Sequence, residues 1–262
     1  GTIGLLAIAV IVIYSLIPTE KEIPSIGILM MENLGLEEDK FWARGITEDL
    51  IIKVAGAGLI RVAPMKEILE VDIKESFEEI AKKLRVKYIL TSSIYKKEDG
   101  FDLHCQLIEA NSGNSKYANK WSEPINNAPT IVGNLAQNIL KSLKVPTKQE
   151  ITKVPTANTE AYEYYLKGKY KYDNRENMED TEIARGLLRK AVELDDELFL
   201  AKRKLGYSYF DVGDYDKAME IFTSTLNQAK EIGDKYWMGS VLNAIGDIYW
   251  NKNIFDKAFE NY

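Results

Sequence analysis

The sequence predicts three parts in order: an N-terminal transmembrane helix, a small α/β sandwich over residues 24–145, and an all-α array of paired helices over residues 157–262. Three observations lead to this division. Residues 2–17 carry no charge, the middle part alternates strand-like and helix-like runs, and the last part repeats itself. With 45% hydrophobic and 28% charged residues, the 262-residue chain has enough apolar side chains for a packed core.

Residues 1–17 are predicted to anchor the chain in a membrane. Seventeen helical residues span about 25 Å, slightly less than a bilayer core of about 30 Å, and since the chain begins with Gly1 and not Met we expect more of the span upstream. The alternatives are a signal-peptide core and a buried soluble helix. No small-x-small cleavage pattern follows Ile17, and the run is apolar on every side. The flank Glu20-Lys21-Glu22 is not basic, which favours an extracytoplasmic, periplasmic position for the rest of the chain.

The middle part alternates strand and helix patterns, as two-layer α/β folds do. A helix is predicted from about Phe41 to Lys53, because Phe41, Ile46, Leu50 and Val54 fall on one side of it. Glu98-Asp99-Gly100 predicts a hairpin turn. The other predicted elements are strands at 25–32 and 59–63, a helix at 77–84, strands at 87–96, 102–110 and 116–124, and a helix through 131–143.

Four segments of this part resemble the TolB amino-terminal-like (FlgO-like) family, which is common in bacterial envelope and signalling proteins. These segments are Ser25–Leu34, Phe41–Leu50, Val86–Leu90 and Cys105–Gly113. The resemblance implies an α/β sandwich fold and a place in the bacterial envelope.

The residues that could carry chemistry form no catalytic or metal-binding pattern. His104 and Cys105 are the chain's one histidine and one cysteine, and neighbours on a strand point to opposite faces. Gly56-x-Gly58 lacks the third glycine of a phosphate loop, and Glu37-Glu38-Asp39 lacks the alternating ligands of a calcium loop. A net charge of −6 provides no basic surface for nucleic acid. We therefore expect no catalytic residue, metal, cofactor or nucleic-acid partner.

The last part contains a repeat that follows a proline-containing linker at 146–156. The motif Leu205-Gly206-x-x-Tyr209 recurs 40 residues later as Ile245-Gly246-x-x-Tyr249, and 213–222 recurs as 253–262. A looser copy covers 164–191, with a charged loop predicted at 173–180. One helix pair cannot bury its apolar face alone, so pairs are expected to stack. We predict about three pairs, the last cut short at Tyr262.

These motifs resemble the tetratricopeptide (TPR) family, which implies a superhelical array with a groove that binds a protein or peptide. If the repeat glycines face their partner helices, the opposite side of each first helix lines the groove. An alternative is that the next repeat buries several of these side chains. The predicted groove residues are Tyr162, Tyr165, Lys169 and Tyr172, then Arg203, Tyr207 and Phe210, and then Asn243, Asp247, Trp250 and Asn251.

Two non-catalytic functions remain open. A single membrane span, this α/β module and TPR repeats together resemble the C-terminal half of bacterial class III adenylate and guanylate cyclase-type regulators, which implies a sensing or interaction region with a catalytic domain upstream. The alternative is an envelope scaffold without signalling output. An enzyme within the α/β module is the third possibility, and the lack of an acid–base pair argues against it.

Overall fold

A computed structural model describes residues 23–147 and 149–262. It confirms a mixed α/β part followed by a helical part. The predicted anchor at 1–17 lies outside the described residues. None of the helices within them has the length and hydropathy that a bilayer crossing requires.

In the described chain the sheet has six strands, in the order β3-β1-β4-β5-β6, with β2 also paired to β4. β1 and β2 lie parallel to the same edge of β4, and β4, β5 and β6 form antiparallel hairpins. The strands are β1 (Ser25–Ile28), β2 (Glu32–Asn33), β3 (Arg61–Val62), β4 (Tyr88–Lys96), β5 (Gly100–Glu109) and β6 (Asn114–Pro124).

Two long helices, α1 (Lys40–Ala55) and α4 (Ala128–Ser142), pack together on one side of this sheet. Alternation along β5 explains why: Leu103, Cys105 and Leu107 are buried, whereas His104 is exposed. Burial raises the pKa of the Cys105 thiol to about 11, in keeping with a structural role. Two shorter helices, α2 (Met65–Leu69) and α3 (Phe77–Leu84), complete the module, and Ser76 and Glu79 form a capping box at the start of α3.

The helical part consists of consecutive helix pairs. They are α5 (Thr159–Asp173) with α6 (Met178–Leu194), α7 (Phe199–Phe210) with α8 (Tyr215–Glu231), and α9 (Lys235–Asn251) with α10 (Phe255–Asn261). A Cβ at Gly206 would lie only 2.4 Å from Cε1 of Phe222, so the glycine allows α7 and α8 to touch. Gly168 and Gly246 have the same role toward Leu188 and Tyr262. The loop between α5 and α6 is shorter than predicted, because helix covers part of 173–180.

The segment expected to be a linker packs against its surroundings. It contains a 3-10 turn at Gln149–Thr152, and Ile151 and Thr156 are buried. Lys153 donates a hydrogen bond to the Asp234 carboxylate at 2.6 Å, and its carbonyl accepts one from Lys53 at 2.7 Å. One hydrophobic core runs from the sheet through α1 into α5, α6 and the start of α7. The α/β module and the first helix pair therefore form one packed unit.

Candidate interaction surface

The predicted groove residues lie on one side of α5, α7 and α9, which we call the inner face. Hydrogen bonds that join the first helix of one pair to the first helix of the next pair, or to the residue just beyond it, stabilise this face. The Tyr172 hydroxyl donates to Asp211 just beyond α7 at 2.5 Å, and the Tyr207 hydroxyl on α7 donates to Asp247 on α9 at 3.2 Å. The repeat offset places Tyr207 and Asp247 at equivalent positions of α7 and α9.

At α5 the inner face is covered, which corrects the prediction of an open groove there. Tyr162, Tyr165, Lys169 and Tyr172 retain only 1%, 3%, 8% and 2% of their accessible surface. The first three pack against α1. The ring of Tyr172 is covered by the Arg175 guanidinium, 3.8 Å from the ring centroid. These four side chains are therefore internal contacts, and are not available to a partner in this arrangement.

The contact between α1 and α5 is close because α1 has a glycine where the helices meet. A Cβ at Gly45 would lie 2.6 Å from Cδ2 of the fully buried Leu166. Beside it, the Trp42 ring packs at a tilt on Tyr162 with centroids 6.2 Å apart. The absence of a side chain at Gly45 thus lets an aromatic residue on each helix join one core.

A carboxylate on α1 organises the polar centre of this contact, which we call the Asp49 site. Asp49 accepts hydrogen bonds from the hydroxyls of Tyr162 at 3.2 Å and Tyr165 at 3.4 Å, and from Lys169 Nζ at 2.7 Å. Lys169 Nζ also lies 3.1 Å from Glu48. A buried ammonium ion is stabilised only when carboxylates and acceptors surround it, and this site provides both.

The protonation states in the Asp49 site follow from burial and charge. Burial disfavours the charged form of Lys169, but attraction to the carboxylates of Asp49 and Glu48 outweighs it and holds the Lys169 pKa well above its usual value. Burial, together with the charge of Asp49, raises the pKa of both Tyr162 and Tyr165. At neutral pH the lysine is therefore charged and both phenols keep the protons that they donate.

Farther along the array the inner face opens. Asn243 and Asn251 on α9 are exposed, Trp250 keeps 47% of its accessible surface, and Asp247 is half-buried. On α7, Arg203, Tyr207 and Phe210 are half-buried. Tyr207 packs edge-on against Phe222 with centroids 5.3 Å apart, so it belongs partly to the helix-pair core. Among the predicted residues, those of α9 are thus the most accessible.

The carboxylate of Asp247 resembles that of Asp49 in its surroundings, and we call this second location the Asp247 site. It accepts hydrogen bonds from the Tyr207 hydroxyl at 3.2 Å and from the Tyr262 hydroxyl at 3.0 Å. Trp250 lies one turn farther along α9 and packs edge-on against Phe255, with centroids 5.1 Å apart. No lysine or arginine in the described stretches forms an ion pair with Asp247.

Sequence reasoning missed the part that α1 plays on the inner face. It placed Phe41, Ile46, Leu50 and Val54 on the buried side of this helix and did not assign Asp49 a role. The sequence did contain a sign of a second buried side on this helix, namely Trp42 and Gly45. A tryptophan and a glycine outside the apolar stripe are unusual on a helix with only one buried side. Within the described residues, no three His, Cys, Asp or Glu side chains are grouped to hold a metal ion.

No family model and no curated protein matches this chain. Among solved structures, it is similar to TolB from Acinetobacter baumannii at 15% identity and a TM-score of 0.38, covering 48% of this chain and 29% of TolB. It is similar to the LpoB C-terminal domain from Salmonella enterica (17%, TM-score 0.30, covering 38% and 82%) and to MamA (23%, TM-score 0.32, covering 52% and 73%). These identities and scores are low, so the similarities carry no argument about function.

Proposed function

We propose that this chain is a non-catalytic protein-binding region, in which the α/β module holds the helical array and the open end of the inner face receives a segment of a partner protein. The observation that carries the proposal is the contrast along the inner face. At α5 this face binds a helix of the same chain, whereas on α9 Asn243, Trp250 and Asn251 are exposed. A face that packs a helix at one end has side chains suited to protein contact at the other.

The chemistry of the open end supports protein binding. Trp250 offers a large, exposed aromatic surface, and Asn243 and Asn251 beside it can donate and accept hydrogen bonds. Aromatic anchors surrounded by polar groups are typical of interaction hot spots.

Two biological settings fit this role. One is the extracytoplasmic region of a membrane-anchored signalling protein, as the resemblance to cyclase-type regulators implies. The other is an envelope scaffold. The coding sequence upstream of Gly1 distinguishes them, because a cyclase domain there favours signalling. Both settings use residues 1–17 as an anchor, so a chain starting at Glu20 should be released by carbonate washing while the 262-residue chain stays with the membrane.

Site-specific photo-crosslinking tests the proposed function. A photoreactive residue at Asn243 should trap a partner in cells, whereas one at the exposed Glu220, on α8, should not. Trp250→Ala should weaken the crosslink at Asn243 strongly, since truncating a hot-spot aromatic costs about 2 kcal/mol, or about thirtyfold in affinity. Tyr207→Ala is a poorer test because it also removes contacts with Phe222. A crosslink at Asn243 that does not depend on Trp250 contradicts the proposal.

A further inference from the structure

The Asp49 and Asp247 sites have a common plan. In each, a carboxylate accepts hydrogen bonds from two tyrosine hydroxyls. Asp49 lies on α1, which covers the inner face, whereas Asp247 lies on the inner face itself. The Asp49 site also holds an ammonium group, Lys169 Nζ, at 2.7 Å. The Asp247 site is half-exposed, and none of the described lysines and arginines lies within ion-pair distance of its carboxylate.

We propose that the Asp247 site binds a lysine side chain of the partner segment. This inference rests on the proposed function and specifies the partner. An ionised carboxylate has room for about four hydrogen bonds across its two oxygens, and Asp247 uses Oδ2 toward Tyr207 and Oδ1 toward Tyr262. Each oxygen can therefore accept one more. An ammonium group brings the donors that would occupy the remaining positions, as Lys169 does at Asp49.

The aromatic residues around Asp247 favour a cation. At the Asp49 site, Lys169 Nζ lies 5.7 Å from the centroid of the Tyr165 ring, within the range of a cation–π contact. At the Asp247 site, the hydroxyls of Tyr207 and Tyr262 donate hydrogen bonds to the carboxylate, so two aromatic residues adjoin it. Trp250, one turn away on the same helix, is the best type of ring for such a contact and is half exposed. The aliphatic part of a lysine could lie along this ring while its ammonium group reaches Asp247.

Arg203 is the competing charge at this end of the inner face. Its guanidinium lies 5.6 Å from the Tyr207 ring centroid and interacts with the Tyr207 hydroxyl, the group that donates to Asp247. It forms no ion pair with Asp247. Arg203 could instead attract an acidic residue of the partner. The experiment therefore has to distinguish an acidic partner segment from a basic one.

Peptide binding to the 262-residue chain in a non-ionic detergent tests the inference. The probes are three short alanine-based helical peptides that differ at one central position, which is lysine, N-acetyl-lysine or glutamate. Binding is read from the indole N–H signal of Trp250, assigned with Trp250→Phe. We expect the lysine peptide to shift this signal and the acetylated and glutamate peptides to leave it unchanged. Asp247→Asn should weaken the lysine peptide about tenfold, and Arg203→Ala should not weaken it.

Several outcomes would overturn the inference. Equal binding of the lysine and acetyl-lysine peptides would show that the protein does not recognise the positive charge of the lysine side chain. This comparison uses the unsubstituted protein alone. Binding of the glutamate peptide that is lost in Arg203→Ala would assign an acidic partner instead. If the partner crosslink at Asn243 depends on Trp250 but is unchanged in Asp247→Asn, the lysine inference fails while the proposed function stands.

Discussion

The two ends of the inner face carry similar residues in different states. At α5, two tyrosines and a lysine surround Asp49 and are sealed by α1, whereas at α9 two tyrosines approach Asp247 on a half-exposed surface. The difference lies in the neighbouring element and not in residue type. An aromatic stripe on a repeat helix is therefore compatible with either an internal interface or a binding site, and only the structure of the whole chain separates the two.

The largest expected effect is at the closed end. Lys169→Met should lower the free energy of unfolding by about 3 kcal/mol, because it leaves Asp49 buried without its cation, whereas Glu48 keeps its ion pair with Arg44 at 2.9 Å. Lys167→Met on the same helix is the matched control, since Lys167 pairs with Glu163 at the surface and should cost less than about 1 kcal/mol. Urea unfolding measures both. Equal losses in the two variants would mean that the Asp49 site does not stabilise the α1–α5 contact.

Alanine substitutions at two glycines, one on α1 and one on α9, should change the stability of the protein in opposite directions. Gly45→Ala should destabilise the protein by about 1 to 3 kcal/mol, because its Cβ would overlap the buried Leu166. Gly239→Ala, on α9, has no atom within 4 Å of the added Cβ and should stabilise the helix by about 0.5 to 1 kcal/mol. Thermal unfolding of the two single variants checks the signs. Stabilisation by Gly45→Ala would show that α1 and α5 are not in close contact.

Alkaline pH should act on the closed end through Tyr165. Because its folded-state pKa is raised above the usual 10.0, the unfolded chain loses this proton first, so the contribution to stability is complete below pH 10 and declines above it. Tyr165→Phe should reduce the slope of stability against pH in this range by up to about 1.4 kcal/mol per pH unit. The control is Tyr164→Phe, which removes the half-exposed neighbouring hydroxyl. Urea unfolding at pH 9 to 11 gives the slope of stability against pH for each protein. A slope of Tyr165→Phe that is identical to the slope of the unsubstituted protein would contradict the burial of Tyr165.

The smallest effect is expected at the open end. Asp247→Asn should change the free energy of unfolding by less than about 1 kcal/mol, because this half-exposed carboxylate has no ion-pair partner to leave unpaired. The amide oxygen can accept from one tyrosine hydroxyl, and the other hydroxyl can turn to accept from the amide NH2 or donate to water. Urea unfolding beside Lys169→Met tests the contrast directly. A loss as large as that of Lys169→Met would make Asp247 a structural residue.

Local patterns predicted much of the fold. The strands, the hairpin at Glu98-Asp99-Gly100 and the helix at 77–84 agree with the structure to within a few residues, because alternation, turn residues and amphipathic spacing act over short distances. The repeat glycines also face their partner helices as expected. Two short elements, β2 and α2, were missed because two and five residues are too few to show a period.

The state of the inner face could not be predicted in the same way. The contacts that bury Tyr162, Tyr165 and Lys169 join them to Asp49, which lies 113, 116 and 120 residues away in the chain. A helical period shows that these side chains share a side of α5, but it does not show what covers that side. For α9 the same pattern leaves Asn243, Trp250 and Asn251 exposed. The sequence thus predicted which side chains share one side of each helix, but it did not predict whether another part of the chain covers that side.

The long separation between Asp49 and Lys169 also bears on the order of folding. Gly206 and Phe222, which pack two helices of a pair, are 16 residues apart, so each helix pair closes a short loop. The contact between α1 and α5 closes a loop of 120 residues, with a larger entropic cost before any contact is gained. Helix pairs should therefore form early, and the docking of α5 onto α1 should be a late step. Until it occurs, Lys169 and its tyrosines lie on an inner face that α1 has not yet covered.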